Sequence, residues 1–351
     1  MLRCENLAIT LGDFHLDGAS FRVERGDHFV LLGQSGTGKT VILEMIAGLL
    51  KPAAGQIFLQ ERDITQASIQ SRSLGLVYQD HALFPHLSVA KNIVYPLRGA
   101  WSTNRQRVED LAAQVGAGHL LDRSPVTLSH GEAQRVALAR TLATDPTVLL
   151  LDEPMASLDV EARSRMRALL RRLNAAGQTI LHVTHDDEEA MALATRVAVL
   201  ENGRIAQCGT PDEVFHHPRS RFVAHFVGIR NFWSGELSAG DGEEAAMNVG
   251  GLTLHVACAQ RSGPGFLVVR SEDVTLSGDQ PVGSARNVFS GTVVDLEPAR
   301  LGLEIQVDIG VPLFALLTRR SAEALKLTRG SQIWASWKST AAKFIFSGDK
   351  T

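Results

Sequence analysis

One octapeptide constrains this chain more than any other feature: Gly33-Gln34-Ser35-Gly36-Thr37-Gly38-Lys39-Thr40, which fits G-x-x-x-x-G-K-[ST]. It follows an apolar run, Phe29–Leu32, and opens a helical stretch, Thr40–Leu50. That strand–loop–helix context is the one in which such a segment cradles phosphate. Glycines let backbone N–H groups turn inward, and the helix N-terminus adds partial positive charge. Lys39 then reaches the β- and γ-phosphates of a nucleotide, and the Thr40 hydroxyl is placed to ligate Mg²⁺.

A second apolar run ends in two carboxylates, Leu149-Leu150-Leu151-Asp152-Glu153-Pro154. Asp152 suits a Mg²⁺ site, and Glu153 suits polarisation of an attacking water, as general base or by orientation. Alone, the pair reads equally well as a capped strand end with two solvated acids. The phosphate loop in the same chain selects the first reading.

Leu128-Ser129-His130-Gly131-Glu132-Ala133-Gln134-Arg135 carries an S-x-x-E capping box, Ser129 with Glu132, opening a helix through Val136–Leu142. This segment resembles the LSGGQ-type signature of ATP-binding-cassette (ABC) proteins. The resemblance covers residues 1 to about 230 and implies a homodimer, because in that family the signature meets the γ-phosphate of ATP held by the opposite subunit. It further implies that Gln79 senses Mg²⁺ and the attacking water, that Asp159 in Ser157-Leu158-Asp159 belongs to the loop crossing the dimer interface, and that His185 is the switch histidine. Asp159 equally reads as a helix cap. Phe14 is the candidate for stacking on adenine, or a core residue. Where the family has a second signature glycine, this chain has His130. The expected consequence is a modest slowing of turnover, with pH dependence near neutrality. Asp80–His86 matches the region that docks a helix of the membrane subunit in related importers.

The expected fold is α/β over 1–228. Short strands at Phe29–Leu32, Leu74–Tyr78, Val148–Leu151, Ile180–Val183 and Val197–Leu200 alternate with helices, and a helical insert spans about 85–143. From 229 to 351 the texture becomes all-β, the OB-like TOBE/Mop type. Arg230-Asn231-Phe232-Trp233-Ser234-Gly235 recurs as Arg286-Asn287-Val288-Phe289-Ser290-Gly291, which suggests two related subdomains, about 229–280 and 284–347. Ser284-Ala285-Arg286-Asn287 and Lys338-Ser339-Thr340 resemble the molybdate-binding Mop/TOBE domain. The resemblance makes Ser284, Arg286, Asn287, Lys338 and Ser339 oxyanion ligands. The alternative is that Arg286 and Asn287 shape a turn, a reading the echoed Arg230-Asn231 supports.

With 35 Lys+Arg against 38 Asp+Glu, net charge −3 offers no electrostatic reason for a nucleic-acid partner. Three scattered cysteines read as reduced thiols. No apolar run reaches the ~18 residues of a membrane span, and the start shows no signal-peptide core. Taken with these absences, the family resemblance implies a peripheral subunit at the cytoplasmic face of the inner membrane. Its partners would be a permease and, indirectly, an external substrate-binding protein, and it would drive import of molybdate or tungstate with Mg·ATP. The alternatives are an importer ATPase for sulfate, ferric iron, polyamine or sugar, and a soluble non-transport cassette ATPase.

Overall fold

The computed structural model describes residues 1–97, 101–240, 243–258, 261–299 and 301–347. It divides into two compact units, Met1–His217 and Pro218–Thr351. This break precedes the change of sequence texture at Gly228. The reason is the helix Arg221–Phe226, whose Ala224, with Ile229 just after it, is buried against Val268 of the C-terminal unit.

The N-terminal unit begins with β1 (Leu2–Leu11) and β2 (Phe14–Val23), followed by β3 (His28–Leu32) and α1 (Lys39–Ala47). Next come β4 (Ala54–Leu59), β5 (Arg62–Asp63) and β6 (Leu74–Val77). The helical insert supplies α2 (Val89–Val94), α3 (Trp101–Gln114) and α4 (His130–Leu142). The unit closes with β7 (Val148–Asp152), α5 (Val160–Ala175), β8 (Thr179–Thr184), α6 (Asp187–Leu193), β9 (Arg196–Glu201), β10 (Arg204–Gly209) and α7 (Pro211–His216).

The central sheet has the order β10-β9-β3-β8-β7-β6. Its inner strands are parallel and β10 runs antiparallel to β9. β3, β7 and β8 are buried at every position, as strands covered on both faces must be. Their C-terminal ends therefore carry the polar chemistry. A separate antiparallel sheet, β2-β1-β4-β5, was not anticipated. Its pattern is masked at Asn6, where φ is 49° and the β1–β2 register shifts between Cys4 and Leu7, so the buried Leu2, Cys4, Leu7 and Ile9 do not alternate simply.

The C-terminal unit contains α8 (Arg221–Phe226), β11 (Asn231–Ala239), β12 (Glu244–Val249), β13 (Leu252–Ala257), β14 (Gly263–Val269) and β15 (Thr275–Ser277). A second series follows: β16 (Asn287–Ala299), β17 (Gly302–Asp308), β18 (Pro312–Leu317), α9 (Arg319–Ala324), β19 (Gln332–Trp337) and β20 (Lys343–Phe346). The two sheets have the orders β13-β12-β11-β14-β20 and β15-β19-β16-β17-β18. The two sheets share one pattern of strand order, but their strands are not drawn from consecutive blocks such as 229–280 and 284–347. Each half's fifth strand, β15 or β20, pairs in the other half's sheet. One hydrophobic core, including Trp233, Leu237, Leu267, Ile305, Leu313 and Trp337, serves both.

Candidate nucleotide and anion sites

The phosphate loop joins β3 to α1. Gly36 and Gly38 adopt left-handed φ of 80° and 99°. At Gly38 any side chain would be strained, because φ is 99° and a Cβ would displace the Phe14 ring. Phe14 thus lies against the loop and lines the same cavity as Ser35, Lys39, Thr40 and Glu153. Gln34, Ser35 and Gly36 are exposed, Thr37 is half-buried and donates from its hydroxyl to Gln34 O, and Gly33 is buried. Lys39 is 5% exposed, and its Nζ donates to the carbonyls of Gly33 and Gln34 at 2.8 Å each. Burial lowers its pKa, opposed by the nearby Glu153 and Asp152 carboxylates. The ammonium is therefore held over the loop by groups that a phosphate can replace.

At the end of β7, Asp152 accepts from Thr40 Oγ1 at 3.0 Å. Burial raises its pKa, and the like charges of Glu153 and Glu44 add to this against the Thr40 bond and Lys39. A carboxylate whose charge is disfavoured in this way, beside a hydroxyl, is a donor set suited to a hard divalent cation.

Glu153 has φ 42°, an uncommon conformation for a non-glycine residue, pinned by its N–H donating to Val183 O at 2.9 Å. Its Oε1 lies 3.0 Å from His185 Nδ1. β7 and β8 are neighbours in the sheet, so Glu153 and His185 emerge side by side. Gln79, exposed, follows β6, whose Val77 pairs with Leu151. That register brings it to the sheet end occupied by Asp152 and Glu153. Tyr78 beside it has a raised pKa from burial and then from Glu44 and Asp152.

The signature forms its expected capping box at α4. Ser129 N donates to Glu132 Oε2 at 2.8 Å, and Glu132 N donates to Ser129 Oγ at 3.4 Å. The Ser129 N–H bond is the main cause holding the Glu132 carboxyl below its ordinary range. His130 is exposed, its ring centroid 6.0 Å from that of His81. At Gly131 a Cβ would press on Ala162 Cβ at 3.2 Å. Asp159 caps α5, accepting from Ala162 N at 2.7 Å. Ser129, His130, Gly131, Glu132 and Asp159 line one open hollow, whose lining includes no phosphate-loop residue. Within one chain the nucleotide loop and the signature thus line separate cavities.

Arg140 escaped the sequence reading, since an arginine in a helix ordinarily signals a solvated face. It donates to Ala82 O at 2.8 Å and His81 O at 3.1 Å. Both residues have positive φ, 45° and 58°. The loop behind Gln79 is therefore fastened to the signature helix.

Among the anion candidates, Ser284, Arg286 and Lys338 are exposed, whereas Asn287 and Ser339 are buried. Asn287 is buried and held by His255: its Nδ2 donates to His255 O at 2.8 Å and its Oδ1 accepts from His255 N at 2.7 Å. Asn231 does the same to Phe314, at 2.8 and 2.6 Å. The Arg-Asn echo thus records a structural clamp. Glu244, absent from the sequence reading, accepts from Ser339 Oγ at 3.1 Å and lies 3.5 Å from Arg286 Nε.

The ABC transporter family matches residues 16–156, and the TOBE domain matches residues 283–344. The molybdate/tungstate import ATP-binding protein of Pyrococcus abyssi is 39% identical over 350 residues, 98% of this chain and 99% of that protein. The sulfate/thiosulfate import ATP-binding protein of Vibrio cholerae is 38% identical over 95% of this chain and 91% of its own length. A dimeric ATP-binding cassette in a post-hydrolysis state bound to ADP and Pi superposes with a TM-score of 0.55 at 26% identity, covering 60% of this chain and 99% of its own. With its phosphate loop, paired carboxylates, signature helix and β-rich tail in this arrangement, the chain belongs to the ABC transporter family, as an ATP-binding import subunit with a TOBE domain.

Proposed function

We propose that the chain is the motor subunit of a molybdate or tungstate importer, hydrolysing Mg·ATP as a homodimer on the cytoplasmic side of a permease. The observation that carries the catalytic part is the convergence of Lys39, Thr40, Asp152, Glu153 and His185 at adjoining strand ends. Thr40, Asp152 and Gln79 would hold magnesium, which neutralises phosphate charge when bound. Lys39 exchanges its two carbonyl partners for phosphate oxygens. Phe14 stacks on the base. Glu153 orients the attacking water and takes its proton, held in place by His185. Separation of the signature hollow from the phosphate loop supports a dimer in which Ser129, His130, Gly131 and Glu132 of one copy close on the nucleotide of the other. Asp159 lies in the same hollow and would face the partner subunit.

End-to-end similarity to molybdate/tungstate import proteins supports the substrate. Ser284, Arg286, Lys338 and Ser339 supply hydroxyl and cationic donors that a dianion requires. Sulfate is the competing substrate, since a sulfate/thiosulfate relative spans nearly as much of the chain. No helix among the described residues is long and apolar enough to cross a membrane, so the reading assigns membrane crossing to the permease. Reconstituted with its permease and binding protein, the transporter should take up labelled molybdate in an ATP-dependent manner that excess sulfate does not suppress. Suppression at equimolar sulfate would transfer the assignment to a sulfate system.

A further inference from the structure

The internal repeat of the C-terminal unit duplicates an arginine–glutamate ion pair and the residue pattern around it, although Arg270 of the first half is itself paired with Glu272 at 2.8 Å. Asn287 pairs with Trp337 across β16–β19, and Asn231 pairs with Val269 across β11–β14. Lys338-Ser339 after Trp337 therefore corresponds to Arg270-Ser271 after Val269. The clamped residues match as well: His255 opposes Ala246, and Phe314 opposes Gln306. Two positions before these lie Glu244 and Glu304. The register thus places a basic pair, a serine and a glutamate in both halves, with each glutamate supplied by the other half.

The ion pairs follow that correspondence. Glu244 Oε2 is 3.5 Å from Arg286 Nε, and Glu304 Oε2 is 3.3 Å from Arg230 Nη2. In the first set the second carboxylate oxygen accepts from Ser339 Oγ at 3.1 Å. In the second, Arg230 also lies 3.8 Å from Glu297 and stacks over Phe314 at 4.4 Å. A carboxylate that engages an arginine and a serine hydroxyl together makes the contacts a tetrahedral oxyanion would make.

We propose that Glu244 and Glu304 are internal anions that occupy two pseudo-equivalent oxyanion sites, one at Arg286/Lys338/Ser339 and one at Arg230/Arg270/Ser271, and that an entering dianion displaces them. This rests on the oxyanion reading of the Arg286 set. The carboxylate and the dianion compete for one guanidinium, so the glutamate sets the anion concentration at which the unit responds. The Arg230 set is held closed more firmly, by two carboxylates and an aromatic face. The Arg286 set fills first.

The test is calorimetric titration of the full chain with molybdate, and with sulfate as a second probe, for wild type, Glu244→Gln, Glu304→Gln and Arg286→Ala/Lys338→Ala. Gln is isosteric and removes only the charge. Glu244→Ala serves as a second variant, and circular dichroism checks each fold. Molybdate affinity at least tenfold tighter in Glu244→Gln, and additional molybdate bound per chain in Glu304→Gln, are the expected results. If Arg286→Ala/Lys338→Ala abolishes binding while both Glu244 variants bind as wild type does, the internal anion is wrong and the oxyanion reading stands. Unchanged stoichiometry in Glu304→Gln and in Glu297→Gln/Glu304→Gln, which clears both carboxylates from Arg230, overturns the second site. If neither wild type nor any glutamate variant binds at millimolar anion, both the inference and the reading beneath it fail.

Discussion

His185 Nδ1 stands 3.0 Å from Glu153 Oε1, a contact that joins the acid after β7 to the histidine after the neighbouring β8. On the proposed mechanism the two act as one unit. Groups that act as a unit lose activity together, not additively. Glu153→Gln should keep ATP affinity, because Lys39 and the loop are untouched, and lower kcat by about 10²–10³-fold. His185→Ala should cost a comparable factor, and the double variant little more than the worse single one. Steady-state ATPase and nucleotide-binding assays on the three proteins decide this. A double variant whose loss is the product of the singles would show the two side chains working independently.

His28 gives a pH dependence of stability with a fixed sign. Its Nε2 lies 3.3 Å from His182 Nδ1, and His182 Nε2 lies 3.3 Å from Glu189 Oε2. His28 is fully buried, and burial, then the His182 charge, pushes its pKa from 6.5 down to about 3. The folded state is therefore neutral at His28 where the unfolded chain takes up a proton. Stability from this group is complete above pH 6.5 and falls on acidification towards pH 3, by about 1.4 kcal/mol per pH unit per proton. For Glu189, burial raises the pKa, but the His182 contact, Thr184 and Arg163 together hold it below its ordinary 4.5, so its contribution is lost only further down. Urea midpoints of His28→Gln between pH 6.5 and 4.5 should thus fall less steeply than those of wild type. Equal slopes would place His28 in contact with solvent.

His130 stands where glycine would let backbone approach phosphate closely, and its side chain is exposed on the signature hollow. His130→Gly should raise kcat by roughly two- to fivefold, since glycine restores the close backbone approach. Equal kcat for the two proteins would remove His130 from the hydrolytic step. The substitution also withdraws the ring that faces His81 at 6.0 Å. The Arg140 bonds to the carbonyls of His81 and Ala82 use other atoms and should hold the loop in place.

Much of the catalytic unit was legible because phosphate chemistry restricts residue type and spacing together. Gly36, Gly38, Lys39 and Thr40 could be named from the octapeptide, and Asp152-Glu153 from an apolar strand ending in acids. The first sheet was not legible, because the bulge at Asn6 disrupts the period on which strand recognition relies. Arg140 was missed because its partners are backbone carbonyls 58 and 59 residues away, which leave no pattern in its own helix. The exchange of β15 and β20 was hidden for a related reason. Short strands carry little information about which sheet they join, and only the shared core decides it. The clamp of Asn287 on His255 was not legible either, because its partner is a backbone 32 residues away.

That clamp supplies the last prediction. Asn231 holds Phe314 and Asn287 holds His255, each with two backbone hydrogen bonds, and both asparagines are fully buried. Truncating either to alanine orphans one backbone N–H and one carbonyl on a strand of the other half. Each orphaned group costs about 1–3 kcal/mol where water cannot replace the partner. Asn231→Ala and Asn287→Ala should therefore destabilise the C-terminal unit to a similar extent, lowering its thermal midpoint by several degrees. Aspartate should not rescue either position, since it cannot donate to the carbonyl. Asn287→Ala should leave molybdate affinity within about twofold wherever the unit remains folded. A selective loss of anion binding in Asn287→Ala, with thermal stability equal to wild type, would make Asn287 a ligand and break the equivalence of the two halves.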